Sequence, residues 1–318
     1  MKQSRTGFSR RDFVVSALGA SAALAWRSVA QEAASVEPVF DIHQHTSYRG
    51  RSHEHLRAHQ KAMGITRSIL LPAGTPMKTA ATHQGKSNGL AAGCGSTAEA
   101  RELAAAHPEA FLWGANEVTD VETAAAEIEQ WLKQGACIIG EQKFAVECDS
   151  AASQRLYALA ADYGVPILMH FQQQTYNFGY DRLHVMLAKY PKTTFIGHAQ
   201  AFWGHIDKAH DDSQNYPKGT VTPGGLTDRY LADYPNLYAD MSAGSGLNAL
   251  TRDEAHTRGF LARHQDKLLY GSDCVDLLGR GPGCQGAQTL ATIRKLVPDK
   301  TAERKILWEN AQRVFRLA

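Results

Sequence analysis

The chain reads as an α/β protein of the (β/α)8 TIM-barrel class, one domain with long βα loops at the carboxyl-terminal face. Three observations predict this. Eight apolar runs alternate with helical patterns, as a parallel sheet with crossover helices requires. Several runs are almost continuously apolar, as strands buried on both faces are. At least five runs end in a residue that binds metal or moves protons, and in a closed parallel barrel all carboxyl ends open onto one face. A doubly wound open sheet would also alternate, but no glycine-rich phosphate turn follows the first strand.

The first strand, 39–45, ends Asp41-Ile42-His43-Gln44-His45, and its helix, 52–64, starts at the cap Ser52. Strand 66–72 is followed by a long connection, 73–96, and a helix over 97–107 capped by Thr97. Strand 111–117 leads to helix 120–134, capped by Asp120. Strand 136–143 ends Gly140-Glu141-Gln142-Lys143 and precedes helix 151–163. Strand 165–171 carries Met169-His170-Phe171, with helix 180–190 behind it. Strand 193–198 ends Gly197-His198, then a second long connection, 199–224, reaches helix 225–234. Strand 236–242 feeds helix 251–265, capped by Thr251. Strand 267–273 ends Tyr270-Gly271-Ser272-Asp273, and a third long connection, 274–285, leads to helices 286–297 and 301–316. Loops of that length in a compact domain are usually functional. These three carry Lys78, His83, Lys86, Trp203, His205 and Arg280.

Residues 1–30 are set apart as an export signal. Ser9-Arg10-Arg11-Asp12-Phe13-Val14 resembles a twin-arginine motif, a weakly apolar stretch runs to Trp26, and Ser28-Val29-Ala30 offers a small-x-small cleavage site. The expectation is export through the twin-arginine machinery to the periplasm or beyond, with 31–318 as the barrel. The apolar part is too short for a stable membrane insertion. Five basic residues against Asp12 give this segment +4, so a formal +2 for the whole chain leaves −2 for the remainder. That balance argues against a nucleic-acid partner. The five cysteines are odd in number and show no CxxC spacing. Cys137 reads as a core residue, Cys274 as a neighbour of the site, and Cys94 with Cys284 as a pair that loop position allows.

His43 and His45 are two apart on a strand, so both imidazoles face one way and can chelate one divalent ion. Asp41 is in phase with them and is read as an orienting partner. His170 ends the fifth strand and Asp273 the eighth. A His, His, His, Asp set suits zinc, with manganese or iron as alternatives, and leaves a position for water. His198 ends the sixth strand as an acid–base or hydrogen-bonding partner. His53, His55 and His59 read as a solvated helix face, and Arg229, Arg252 and Arg280 as surface or structural ion pairs. Trp203 is either a substrate platform or a loop anchor.

The first-strand HxH, Met169-His170-Phe171, Gly197-His198-Ala199, Tyr270-Gly271-Ser272-Asp273 and the closing Ile306-Leu307-Trp308-Glu309-Asn310-Ala311 occur in order. Together they resemble the amidohydrolase superfamily, in the branch of aminocarboxymuconate-semialdehyde decarboxylase and pyrone-dicarboxylate lactonase. The resemblance implies that His43, His45, His170 and Asp273 hold the metal. It also implies that His198 polarises or orients substrate and that Asp273 shuttles a proton from activated water. The fourth strand departs from the simplest pattern. Glu141 resembles a bridging ligand of metal-dependent deoxyribonucleases, and Lys143 the carbamylated lysine of dihydroorotase-like relatives. One ion is the favoured expectation, with Glu141 as a further ligand and a second ion left open. The implied function is metal-dependent hydrolysis of a C–O or C–N bond in a small molecule, a lactone being one candidate. The alternatives are decarboxylation of an unsaturated acid and a non-catalytic periplasmic metal- or ligand-binding protein. No organic cofactor is expected, and a homodimer is left open.

Overall fold

A computed structural model describes residues 37–73 and 93–317. The expected export segment 1–30 and the loop residues Lys78, His83 and Lys86 lie outside the described residues. Eight short strands follow the eight apolar runs: β1 (Phe40–Gln44), β2 (Arg67–Leu70), β3 (Phe111–Trp113), β4 (Ile139–Gln142), β5 (Ile167–His170), β6 (Phe195–His198), β7 (Leu237–Asp240) and β8 (Leu268–Leu269). Every pairing between neighbours is parallel. Two contacts close the ring. Ala115 bridges to Ile139, with Gly140 N donating to Ala115 O at 2.9 Å, which joins β3 to β4. Ile42 N donates to Tyr270 O at 3.0 Å and Asp273 N to His43 O at 2.8 Å, which joins β8 to β1.

Alternation along the strands divides two apolar layers. Phe40, Ile42, Ile69, Leu71, Ile138, Leu168, Ile196 and Leu269 fill the barrel interior. The chain's last turns close its amino end: Trp308 and Phe315 lie 5.8 and 6.1 Å from the Phe40 ring centroid. Residues of the opposite phase, among them Leu70, Ile139, Ile167, Phe195, Leu237 and Tyr270, pack outward against the helices. Each such side chain, fully buried, contributes roughly 1.5–3 kcal/mol.

Several helices of that outer layer begin where a side chain answers open N–H groups. In α1 (His53–Met63) the Ser52 hydroxyl accepts from His55 N, and Gly64 ends it at φ 74°. In α2 (Thr97–Ala106) the cap is Ser96, one residue before the expected Thr97. Next come α3 (Ala124–Leu132), α4 (Ala151–Tyr163), α5 (Leu183–Lys189), α6 (Ala199–Gly204) and α7 (Leu226–Asp233). α3 starts later than Asp120, and α6 occupies part of the expected 199–224 loop. α8 (Ala243–Thr251) was not foreseen, and it moves the start of α9 (Glu254–His264) from Thr251 to the cap Asp253. α10 (Gln285–Leu296), α11 (Lys300–Arg304), a π turn (Lys305–Glu309) and α12 (Asn310–Val314) complete the chain. Among the described residues no helix is long and apolar enough to cross a membrane.

β1 overturns one expectation. Its pairing shifts register between Asp41 and Gln44, so the period-two rule fails across the bulge. Ile42 points inward, yet so do His43 and His45. Asp41 points outward, accepting from Gln60 Nε2 of α1 (3.2 Å) and from Ser272 N (2.8 Å). It therefore orients no imidazole.

Candidate metal centre

Six chain segments deliver polar side chains to the barrel mouth: His43 in β1 with His45 just past its end, Glu141 from β4, His170 from β5, His198 from β6, Asp240 from β7 and Asp273 after β8. All but Asp273 are almost completely buried. The Gly271 of the last motif is required by packing, because a Cβ there would collide with Asp240 Oδ1 and crowd His43 Cβ. Asp273 adopts a left-handed backbone, φ 43°, rare for a non-glycine residue and concentrated at functional sites.

Hydrogen bonds set the tautomers. His43 Nδ1 lies 2.7 Å from Asp240 Oδ2, and His45 Nδ1 lies 2.7 Å from Leu71 O. Both acceptors require N–H at Nδ1, which leaves the two Nε2 atoms facing the mouth, 3.2 Å apart. Two imidazole lone pairs at that distance repel unless a proton or a cation lies between them. Glu141 Oε2 stands 3.4 and 3.6 Å from the same two nitrogens, and Asp273 Oδ1 stands 3.9 and 3.4 Å away. Both oxygens are buried and have no hydrogen-bond partner. Ligands about 2.0–2.2 Å from a tetrahedral divalent ion stand roughly 3.4 Å from one another. The nitrogen–nitrogen and nitrogen–oxygen edges of this set, 3.2–3.9 Å, are near that spacing, so the residues fit a metal.

The other oxygen of Glu141 faces a second group. Oε1 is 2.6 Å from His170 Nδ1 and 3.8 Å from His198 Nε2. Ser242 donates its hydroxyl to Asp240 Oδ2 (2.8 Å), so His198 Nδ1, 3.1 Å from Ser242 Oγ, donates to that hydroxyl oxygen and leaves Nε2 as an acceptor. His170 Nε2 contacts Gln172 Oε1 at 3.3 Å. The structure thus brings His43, His45, Glu141 and Asp273 into one cradle; His170 lies against the other oxygen of Glu141, and His198 stands between the two, with a ring nitrogen within 4.8 Å of ligand atoms of His43 and Asp273 as well as of Glu141 and His170. Lys143 stands outside both, half-buried, its Nζ 5.6 Å from the Tyr176 ring centroid, and Tyr176 in turn packs edge-on against His170.

The field is strongly negative. Burial opposes charge on His43, but Asp273, Asp240 and Glu141 outweigh it and hold that imidazole well above its usual range. Burial also works against His45, yet the Cys94 thiol and Asp273 push it up to about 10. Burial would raise Glu141, but Lys143 and His43 pull it well down; Asp273 is lowered by His43 and His45 against the same penalty. His198 goes the other way, lowered to about 4 by burial, and His170 is lowered too. The carboxylates call for positive charge between His43 and His45, and a divalent ion supplies it at one point.

Sequence reasoning missed Asp240, although Tyr238-Ala239-Asp240-Met241 ends an apolar run as the named motifs do. Tyr48 was also missed; its ring packs 4.8 Å from that of His45. Trp203 is an anchor: it is buried, and its Nε1 donates to Asp240 O at 2.9 Å. Arg252 pairs with Asp207 at 3.3 Å, while Arg229 and Arg280 are exposed. His205 and His210 meet Asp212 away from the cradle. Two expectations fail. His59 is fully buried, not part of a solvated face. Cys284 lies against Cys274, 3.6 Å away, rather than Cys94, and no disulfide occurs among the described residues.

Comparison with known proteins follows the same lines. Residues 40–317 match the family described as amidohydrolase. No protein of curated function matches. An uncharacterised TIM-barrel protein from Bordetella bronchiseptica superposes with TM-score 0.61 at 17% identity, over 88% of this chain and 98% of that one. A 2,6-dihydroxybenzoate decarboxylase from Rhizobium gives 0.53 at 13%, over 89% and 99%. A probable 2-pyrone-4,6-dicarboxylic acid hydrolase from Acinetobacter baumannii gives 0.54 at 12%, over 88% and 99%. At these identities the likeness establishes the barrel fold.

Proposed function

The chain belongs to the amidohydrolase family, and from that premise we propose that it is a metal-dependent hydrolase of a small molecule, acting on a C–O or C–N bond, with lactones the first class to test. The supporting observation is the cradle: two imidazole Nε2 atoms 3.2 Å apart, faced by buried, unpartnered oxygens of Glu141 and Asp273. His43, His45, Asp273 and Glu141 would hold the ion, zinc first and manganese or iron as alternatives. Bound there, a divalent ion polarises a carbonyl and lowers the pKa of water.

The remaining work falls to the chain. Asp240 keeps His43 in the tautomer that presents Nε2. Asp273 takes the proton of the attacking water at a carboxylate oxygen and returns it to the leaving group. His198, neutral at physiological pH, aligns that water through its Nε2 acceptor. Lys143, positively charged and beside Tyr176 at the mouth, pairs with an acidic group of the substrate. A second ion, which Glu141, His170 and His198 would hold, is the second reading, carried by that trio.

Lys143 also accommodates an unsaturated carboxylic acid, which keeps decarboxylation as the competing reaction. The Arg10-Arg11 motif supports twin-arginine export to the periplasm with the ion already in place. Protein loaded with zinc, manganese or iron is assayed against lactones and amides, with carbon dioxide release followed from unsaturated acids. Hydrolysis that disappears in His43→Ala and Asp273→Asn supports the proposal. Carbon dioxide release with no hydrolysis of any substrate refutes it, and a tightly held ion with neither activity favours a binding protein.

A further inference from the structure

Behind the mouth, on the far side of Asp273, lies a second set of donors of different chemistry. His59 and Met63 come from one face of α1. Cys274 directly follows Asp273, and Cys284 caps α10. All four are buried. The two sulfurs are 3.6 Å apart, Cys284 Sγ is 3.4 Å from His59 Nε2, and Met63 Sδ is 3.5 Å from Cys284 Sγ. Asp276 Oδ2 lies 4.0 Å from His59 Nε2.

These lengths have a simple geometric meaning. Two thiolates about 2.3 Å from a tetrahedral ion stand roughly 3.8 Å apart, and a thiolate and an imidazole nitrogen roughly 3.6 Å apart. A disulfide needs its sulfurs at about 2.05 Å. The observed edges are close to those of a metal site. The loop carrying the thiols is also fixed from outside: Arg51 Nη1 donates to Cys274 O at 2.7 Å and to Asp276 O at 3.1 Å. Ala287 N–H points at Cys284 Sγ from 3.4 Å, the kind of backbone donor that supports a coordinating thiolate.

We propose that Cys274, Cys284 and His59 form a second metal site, distinct from the mouth, for a thiophilic d10 cation: zinc(II) or copper(I). Two thiolates and one imidazole suit both ions. The fourth position separates them, because the thioether of Met63 favours copper(I) and the carboxylate of Asp276 favours zinc(II). Binding forms two sulfur–metal bonds as both thiol protons leave to solvent. The ion would tie α1, from the start of the barrel, to the loop after β8 at its end. It would thereby hold the segment that presents Asp273.

The test uses full-chain protein, reduced, stripped of metal and titrated without oxygen with cobalt(II) as the zinc probe and, separately, with copper(I). Cobalt(II) is expected to give near-ultraviolet thiolate charge-transfer absorption at one equivalent. That absorption should persist in Cys94→Ser, which removes the thiol beside His45, and vanish in Cys274→Ser and Cys284→Ser. His59→Gln guards against variants that do not fold; with an unchanged circular dichroism spectrum it should bind at least tenfold more weakly. A loss confined to copper(I) in Met63→Leu assigns copper, and a loss confined to cobalt(II) in Asp276→Asn assigns zinc. No thiolate absorption in folded wild-type protein, or a Cys274–Cys284 disulfide found by mass in the reduced sample, overturns the proposal. Hydrolytic activity is not read, so the result is independent of the reaction at the mouth.

Discussion

Asp240→Asn is the sharpest test of how the mouth is organised. Asp240 accepts three hydrogen bonds: from His43 Nδ1 at 2.7 Å, Ser242 Oγ at 2.8 Å and Ser242 N at 3.0 Å. Asparagine offers one acceptor oxygen and adds a donor. With its oxygen toward His43, the amide NH2 meets Ser242 N–H. With its oxygen toward Ser242 N, the NH2 meets His43 Nδ1, and the imidazole must either lose that bond or change tautomer. Either way a buried donor goes unpaired, at about 1–3 kcal/mol. Loss of a carboxylate behind a metal-bound histidine typically lowers ion affinity 10- to 100-fold, or about 1.4–2.8 kcal/mol at 1.4 kcal/mol per tenfold.

Asp41→Asn is the matched control. Its carboxylate is equally buried and sits on the strand that carries His43, but it faces Gln60 and Ser272. Ion affinity is measured for both variants by chelator competition, with circular dichroism to confirm folding. Asp240→Asn is expected to weaken the ion 10- to 100-fold, and Asp41→Asn to change it less than threefold. The reverse order, or equal affinity in Asp240→Asn and wild type while His43→Ala loses the ion, refutes the assignment of Asp240.

Four further outcomes are expected. Glu141→Gln should leave purified protein with less than a tenth of the wild-type mouth metal, by elemental analysis; full occupancy would remove Glu141 from the cradle. Lys143→Met should raise KM about tenfold for carboxylate-bearing substrates and leave neutral lactones unchanged, in line with a charge-assisted pair of roughly 1.5–3 kcal/mol; equal effects on both would exclude that pairing. Phe315→Ala should remove about 3–5 kcal/mol, seen as a lower Tm without loss of ion affinity, since Phe315 seals the amino end of the barrel. Asp228 is held below its usual range by the His264 bond first and then by Arg263, against partial burial. That stability is present above the unfolded carboxylate pKa and lost as pH falls through the folded value. Asp228→Asn should therefore have a lower Tm than wild type at neutral pH and converge with it in acid; a gap constant with pH would contradict the linkage.

What the sequence made legible follows from what kind of regularity each feature has. The barrel was readable because burial on both faces makes strands apolar throughout, and helical stripes between them are periodic. His43, His45, Glu141, His170, His198 and Asp273 were readable because each breaks an apolar run at its end. Asp240 breaks its run in the same way, but its job is to hold a histidine, and nothing in a lone Asp separates that from an ordinary strand end. α8 begins Ser242-Ala243-Gly244-Ser245-Gly246, two glycines in its first turn and little apolar stripe, so local propensity argues against a helix that tertiary packing imposes. His59 was placed on a solvated face because histidine is polar and it shares a helix with His53 and His55, which the structure leaves half-buried and exposed. Its burial depends on Cys274 and Cys284, more than 200 positions away.

The β1 bulge shows the deeper reason for these misses. Period two is a property of a flat ladder, and it assigned Asp41 to the same face as His43. A single extra residue between Asp41 and Gln44 reverses that, because it lets Ile42 finish the apolar interior while His43 still turns inward. The same displacement frees Asp41 to receive Ser272, and so ties the first strand to the segment that presents Asp273. The break in alternation is thus what allows one short strand to supply both the packed floor of the barrel and two imidazoles at its mouth. A regular strand could not place Ile42, His43 and His45 all inside.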